Sequence, residues 1–300
     1  MIFLNGFYFY EFENLNNRYR LNRFSLIKHI YLYDMEVEID PDKQYIIDLF
    51  RNNVKGVEIQ LGGQNTNHCG REGHWLEKQM GIIHNSKNEP DLRGYEMKKH
   101  SAKTTLGDFS ASEYAFSRKN KRTMINQLND WSDDIEISRS DFIKCFGTPN
   151  TNKNNRYSWS GSCIPHYNHW NKFGQILHIN ENNDIIIYYS FSKDTRTDKE
   201  HFPLIFKHDN IVIALWKSEK MMAHINNKFN SKGFFMCKKN SENKYDSICF
   251  GKAFDFDYFI ECIKNKLIIF DSGMYDGNSR NYSQFRGSAF WENLIIEEHF

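Results

Sequence analysis

Asp91, Glu96 and Lys98 lie in the stretch Pro90-Asp91-Leu92-Arg93-Gly94-Tyr95-Glu96-Met97-Lys98-Lys99, and their spacing can bring two carboxylates and an ammonium to one place. Strand side chains alternate between faces, so an extended Tyr95 to Lys99 points Glu96 and Lys98 the same way. Asp91 follows Pro90 and precedes a turn at Arg93-Gly94, which lets it fold back beside Glu96. Two close carboxylates repel each other and call for a hard divalent cation between them. Mg²⁺ takes one or two protein carboxylates and keeps waters and a substrate phosphate oxygen. A compact ammonium beside that metal can hold the attacking water and offset charge building in the transition state. The constellation suits metal-assisted hydrolysis of a phosphodiester, with Asp91 and Glu96 as ligands of Mg²⁺ and Lys98 beside them.

The spacing sets how much this pattern decides. With each residue type at about one in seventeen, a fixed Asp-x4-Glu-x-Lys pattern arises by chance in only a few per cent of chains this long. With the Asp-to-Glu spacing free it arises about once per chain, so the motif alone decides little. The sequence carries its own decoy: Glu242-Asn243-Lys244 also reads Glu-x-Lys, but it follows Lys238-Lys239-Asn240 without a nearby upstream Asp and reads as a solvated turn. The competing reading of Asp91, Glu96 and Lys98 is a surface hairpin with a cross-face ion pair.

The upstream context shifts the balance. Gly73 to Ile82 reads as a short amphipathic helix stopped near Gly81, with Trp75, Leu76 and Met80 on or near the buried face and Glu77 next to it. Asn85 to Pro90 is then a polar loop leading into the Asp. In this order Gly73 to Lys98 reads Gly-x-x-Leu-Glu, Gly-Ile, Asn, Pro-Asp-Leu-x-Gly-x-Glu-x-Lys, and Ser101 to Leu106 continues it. The pattern resembles the type II restriction endonucleases of the MvaI/BcnI kind, relatives of the mismatch-repair nickase MutH within the PD-(D/E)xK superfamily. The resemblance is close over about thirty residues and returns more weakly at Asp271 to Met274 and Arg280 to Phe290.

What the resemblance implies is specific. Asp91 and Glu96 would be metal ligands, Lys98 would orient the water, and Glu77 would support the site from its helix. The protein would be a monomer that cuts the two strands of double-stranded DNA in successive events at a short GC-rich target such as CCNGG. A cognate DNA methyltransferase would be present in the host, though not as a stable subunit.

Composition bounds the rest. The 300-residue chain is long enough for one large domain or two lobes, and 40% hydrophobic and 16% aromatic content argue against disorder. Net charge is +1, from 39 Lys plus Arg against 38 Asp plus Glu, so a DNA-binding face must be a local concentration of basic residues. The six cysteines, Cys69, Cys145, Cys163, Cys237, Cys249 and Cys262, lack CxxC pairing and regular spacing, which disfavours a zinc site or a disulfide framework. Buried free thiols in a reducing cytoplasm are the expectation. Met1 to Tyr10 lacks a basic region and a cleavage site, so it reads as a strand or packing segment, and no apolar run approaches membrane length.

Along the chain, the interleaved aromatic and basic residues of Asn5 to Tyr33 read as packed against the body, with an arm closing on DNA as the alternative. Asp42 to Arg51 has helical spacing through Tyr45, Ile46, Leu49 and Phe50. Gly62 to His68 reads as a connecting loop, Arg118 to Trp131 as a helix opened by a basic run, and Ser140 to Phe146 as a helix ended by Gly147-Thr148-Pro149. Lys99, His100 and Lys103 form a basic edge beside the proposed metal. In the second half Gln175 to Ile179, Asp184 to Ser190 and Asn210 to Trp216 read as strands and Lys217 to Phe229 as a helix. His166, His169 and His178 fall close in sequence, but no single register unites them as a metal site.

After an apolar strand ending at Phe270, Asp271 to Ser288 mixes glycines with side chains suited to base edges. Tyr275, Asp276, Asn278, Arg280 and Arg286 are its DNA-reading candidates, and a long polar loop closing the sheet is the alternative. The expected architecture is α/β: a restriction-endonuclease-like mixed sheet flanked by helices in residues 1–149, and a β-rich DNA-recognition lobe in residues 150–300. The reaction would be Mg²⁺-dependent hydrolysis of double-stranded DNA leaving 5′-phosphates. A strand-nicking repair enzyme like MutH and a non-enzymatic, aromatic-rich binding module are the alternatives.

Overall fold

A computed structural model describes residues 39–59, 71–83, 88–117 and 137–300. The expectations for Met1 to Tyr10, Asn5 to Tyr33, Gly62 to His68, Cys69 and Arg118 to Trp131 lie outside the described residues. The chain divides into two compact units, Met1–Gln44 and Tyr45–Phe300. Described residues of the first unit include the start of helix α1 (Pro41–Asn53), where Asp40 Oδ1 accepts from the Asp42 amide at 3.1 Å.

In the second unit the described elements follow in order: α2 (Arg71–Gln79), β1 (Glu96–Lys99), β2 (Lys103–Asp108), β3 (Glu113–Tyr114), α3 (Arg139–Phe146), β4 (Thr148–Asn150), β5 (Arg156–Trp159), β6 (Phe173–Ile179) and β7 (Ile185–Asp194). The chain continues through β8 (Ile211–Trp216), α4 (Ser218–Phe229), β9 (Phe234–Lys239), β10 (Tyr245–Gly251), α5 (Phe256–Lys264), β11 (Ile268–Asp271), β12 (Met274–Tyr275), β13 (Gln284–Ser288), α6 (Ala289–Ile295) and β14 (Ile296–His299).

The strands among the described residues form four sheets, ordered β1-β9-β10-β14, β11-β13-β2, β12-β5-β4 and β3-β8-β7-β6. In the first, β1 runs parallel to β9 in the register Glu96 to Phe234, while β10 pairs antiparallel with β9 and β14, so the sheet is mixed. A parallel pair needs a crossover, and α4 supplies its last part, entering β9 through Gly233. Gly233 has φ +85°, and a Cβ there would lie 2.3 Å from the Gly251 carbonyl, so the position needs glycine. Its carbonyl accepts the Glu96 amide at 3.0 Å, which fixes where β1 starts.

The sheets draw strands from both sides of Asn150: β1 pairs with β9 and β2 with β13. The boundary read at residues 149 and 150 falls within the β4–β5 hairpin, in which Thr148 pairs with Ser158. The Asn-rich stretch that suggested it is a tight reversal, with Asn154 and Asn155 both at positive φ.

The core joins the sheets through large aromatics. Trp159, Trp216, Trp291, Phe270 and Phe285 are buried, and Trp216 meets Phe270 and Phe285 edge-on at 5.0 and 5.7 Å. Gln175 is buried without waste of its amide: Oε1 accepts from Trp159 Nε1 and Nε2 donates to the Phe146 carbonyl, both at 2.8 Å. Sequence and structure differ at several points. In α1 the buried residues are Ile46, Ile47 and Phe50, while Tyr45 lies outside with Arg93 over its ring. The stretch Gln284–Ser288, part of the polar segment read as base-contacting with a loop closing the sheet as the alternative, is the central strand of a sheet, because Phe285 fills the core and Gly287 lies against Trp291. The helices α5 and α6 and the hairpin β9–β10 had no counterpart in the sequence reading. Cys145, Cys163, Cys237, Cys249 and Cys262 are buried free thiols.

Glu72 ties α2 to the mixed sheet. Its carboxylate receives Lys239 Nζ at 2.5 Å, the Tyr245 hydroxyl at 2.6 Å and Lys99 Nζ at 2.9 Å, while Trp75 of the same helix stacks on Tyr245. Burial works against the charge, but the hydrogen bonds from Lys239, Tyr245 and Lys99 outweigh it and hold the carboxyl at about 2. A depressed folded-state value stabilises the protein above the unfolded value of 4.5 and loses that contribution as pH falls toward about 2. Glu72→Gln is therefore expected to lower unfolding free energy by on the order of 2 kcal/mol near neutrality. Urea melts of both proteins at about pH 7 and about pH 2.5 check this. The gap should narrow in acid, and an equal gap at both values would contradict the assignment.

Candidate active site

The turn before β1 places Asp91. Arg93 and Gly94 both have positive φ, 53° and 85°, the signature of a type I′ turn, and Leu92 and Tyr95 exchange backbone hydrogen bonds across it. Asp91 is thereby returned to the strand it precedes, and its Oδ2 accepts the Met97 amide at 2.9 Å. Glu96 and Lys98 share a face as their spacing required, with Lys98 Nζ 2.6 Å from Glu96 Oε1. Lys98 also lies over the Phe229 ring at 5.5 Å.

A second ammonium converges here. Lys228, in the last turn of α4, brings Nζ to 3.0 Å from the same Glu96 Oε1. The parallel register explains its presence: Glu96 is opposite Phe234, and α4 ends just before that residue. The loop leading to Asp91 is held to the same helix, since Asn88 Nδ2 donates to the His224 carbonyl at 3.0 Å.

The environment separates the roles of these groups. Glu96 is 2% exposed and its Oε2 is buried without a hydrogen-bond partner among the described residues. Asp91 reaches the surface, yet the protein atoms around it desolvate it and the neighbouring Glu96 charge repels its own, so its carboxyl is pushed up to about 6 against the pull of Lys98 and Lys228. Burial pushes the Lys98 ammonium below the usual lysine range, opposed by Glu96. An unsatisfied carboxylate oxygen beside a second carboxylate that resists ionising is a donor set suited to a hard dication, and these residues fit Mg²⁺. Among the described residues no group of three or more His, Cys, Asp or Glu forms a metal cluster, which includes His166, His169 and His178. Two carboxylates are the number Mg²⁺ accepts when water and substrate fill its remaining positions.

The other predicted residues are distributed more widely. Glu77 lies on α2 with Oε2 3.3 Å from His74 Nδ1. Lys99 points to the opposite face of β1 from Glu96 and Lys98, where it meets Glu72. The Nδ1 of His100 lies 2.9 Å from Oε1 of buried Glu292, whose Oε2 accepts from Thr104 Oγ1 at 2.9 Å. The Glu242-Asn243-Lys244 decoy is the turn between β9 and β10, organised by Asn240 Oδ1.

Arg139, at the start of α3, gathers the C-terminal segment that follows β12. It donates to Asn281 Oδ1 and the Arg280 carbonyl, both at 2.8 Å, and to the carbonyl and side chain of Asn278. Asp276 accepts from Ser140 Oγ at 2.9 Å, and Arg156 lies 3.6 Å over the Tyr275 ring. Arg280 is 66% exposed and 2.9 Å from Asp108 Oδ2, whereas Arg286 is 29% exposed and held in β13 between Asp271 and Gln284. Sequence reasoning missed Lys228 and Arg139. Neither stands in a motif, and each is defined by a partner more than 130 residues away in sequence.

The sequence matches the LlaMI restriction endonuclease family over residues 54–299. It is 43% identical over 275 residues to the type II restriction enzyme ScrFI of Lactococcus lactis subsp. cremoris, covering 87% of this chain and 100% of that protein. In three dimensions it resembles the restriction endonuclease MvaI, solved in complex with its cognate DNA substrate, with a TM-score of 0.54 at 15% identity over 87% of this chain and 98% of that one. At that identity the likeness speaks for the fold, which is the expected α/β arrangement of a mixed sheet flanked by helices. With one family matching most of its length and a relative matching over that relative's whole length, this chain belongs to the LlaMI restriction endonuclease family and is a type II restriction enzyme.

Proposed function

We propose that the chain hydrolyses double-stranded DNA at a short defined site, with Asp91 and Glu96 holding Mg²⁺ and leaving 5′-phosphates. The observation that carries this reading is the buried, unpartnered Glu96 Oε2 beside Asp91, with two lysines on the other oxygen of Glu96. Bound there, Mg²⁺ would polarise the scissile phosphate and lower the pKa of an attacking water. Lys98 fixes the aim of Glu96 and stands ready to orient the water and to offset charge on the phosphorane-like transition state, and Phe229 lies over that ammonium. Glu77 supports the site from α2. MvaI was solved with cognate DNA, and the reading carries DNA binding to this chain. The target is GC-rich and CCNGG-like, the active form is a monomer in the cytoplasm, and a host methyltransferase protects the site without binding stably.

The functional division into a catalytic and a base-reading part belongs to the same proposal, with the catalytic part drawing β9 and α4 from the second half of the chain. Tyr275, Asp276, Asn278, Arg280 and Arg286 form the reading surface, and Lys99 and His100 contact the DNA beside the metal. Of the two arginines, Arg280 is the better placed to reach a base edge.

Plasmid DNA incubated with the protein and Mg²⁺ should give discrete double-strand fragments. Stable nicks would favour a strand-nicking enzyme, and intact plasmid would remove the nuclease reading. Asp91→Ala and Glu96→Ala should each abolish cleavage while duplex binding persists, because removing an acid lessens repulsion of phosphates. Lys98→Ala should be as inactive, and Glu77→Ala should lose activity more mildly. Near-normal cutting by the Asp91 or Glu96 variant would defeat the assignment.

The raised Asp91 carboxyl adds a pH dependence. Below about 6 the protonated form dominates in the metal-free protein, so proton and metal compete, and the rate should fall as pH drops through that value. Raising the Mg²⁺ concentration should move the midpoint of the rate profile to lower pH. A midpoint that ignores Mg²⁺ would separate this titration from Asp91.

The reading surface is tested by discrimination. Arg280→Ala should weaken binding to a cognate duplex by roughly 1 to 3 kcal/mol while leaving a scrambled duplex nearly unaffected. Arg286→Ala is expected to do the same to a smaller degree, since its guanidinium is already held by Asp271 and Gln284. Competition binding at one fixed salt concentration checks both, and equal weakening on the two duplexes would reassign the residues to the phosphate backbone.

A further inference from the structure

Lys228 shares Glu96 Oε1 with Lys98, yet the two lysines are held very differently. Lys98 is 9% exposed, sits on a strand and is covered by the Phe229 ring. Lys228 is 21% exposed, at the end of a helix, on a four-carbon stem that can swing to solvent. Two acids, Asp91 and Glu96, thus face two ammoniums. A buried carboxylate such as Glu96 would otherwise lack compensation for its charge. A dication arriving at Glu96 Oε2 and Asp91 would meet two like charges already in place, and only one of them is free to leave.

We infer that Lys228 is a resident counter-ion: it lies on Glu96 and aims it in the metal-free protein, and it gives way when a divalent cation binds. Metal affinity in the absence of DNA is thereby held down, and the site loads fully when phosphates bring compensating negative charge and offer the displaced ammonium a new partner. Lys228 is a positioning residue in this account, since it acts on the metal through Glu96. The inference rests on Asp91 and Glu96 being the metal ligands, and the experiment separates the two ideas.

Free Mn²⁺ is followed by electron paramagnetic resonance while the metal alone is titrated into the full-length protein without DNA. Removing the charge in Lys228→Met should tighten Mn²⁺ binding roughly tenfold, because one repelling ammonium is gone from the immediate surroundings of the metal. Lys228→Gln, which keeps a donor for Glu96, should tighten it as well and serves if the Met variant does not fold. Lys228→Arg should match the wild type. Unchanged or weaker binding in the neutral variants would overturn the inference. Asp91→Ala is the control on the underlying site. If it leaves Mn²⁺ binding intact, the ligand assignment fails, whereas loss of binding in that variant with no change in Lys228→Met defeats only the counter-ion role.

Discussion

Glu96 is almost wholly buried, and a buried carboxylate persists in its charged form only where other charges and hydrogen bonds compensate it. Two ammoniums do so on one oxygen, while the other oxygen has no partner among the described residues. Much of the surrounding architecture serves this condition. The turn at Arg93-Gly94 returns Asp91 to β1, the Gly233 carbonyl sets the start of the strand, and the parallel pairing of β1 with β9 brings the end of α4 to the site. If β9 slipped by one residue relative to β1, the end of α4 that precedes it would move along the sheet and Lys228 would lose its place on Glu96.

The two faces of β1 do different work. Glu96 and Lys98 face α4, where Lys228 and Phe229 meet them, while Lys99 on the other face meets Glu72 and binds α2 to the sheet. The Glu72 cluster is satisfied, with three donors on one carboxylate, and its acid is held far below the usual range. Around Asp91 the balance is reversed: desolvation and a neighbouring acid raise its carboxyl. Acids at the two clusters are thus driven in opposite directions, because the donors outweigh burial at Glu72 whereas burial, with the Glu96 charge beside it, prevails at Asp91. An acid that resists ionisation and an unpaired oxygen set the second cluster apart from the first.

The long polar segment after β12 owes its shape to Arg139 rather than to its own sequence. A planar guanidinium offers five donors in fixed directions, and here they take carbonyl and side-chain acceptors from Asn278 to Asn281. Loops are usually the least determined part of a fold, yet this one is tied to the first turn of α3 and, through Asp108, to β2. Arg280 is presented from a fixed base, and its exposure comes from the geometry of the segment that carries it.

The sequence by itself determined what short-range physics controls. The period-two alternation of β1 set Glu96 and Lys98 on one face, Pro90 and Arg93-Gly94 announced the turn, and helical spacing located α1, α2 and α4 to within a few residues. The order of Glu77, Asp91, Glu96 and Lys98 was enough to indicate the family that the full-length relative then showed. Only the tertiary structure decided the rest. Lys228 enters the site because β9 pairs with a strand more than 130 residues earlier, and Phe285 becomes core because β13 lies between β11 and β2. Neither pairing leaves a local trace, since a strand's partner is chosen by which surfaces remain to be buried once the whole chain collapses. The setting of Glu96 follows the same rule: the residue type is written in the sequence, but its burial and its two ammonium partners belong to the fold.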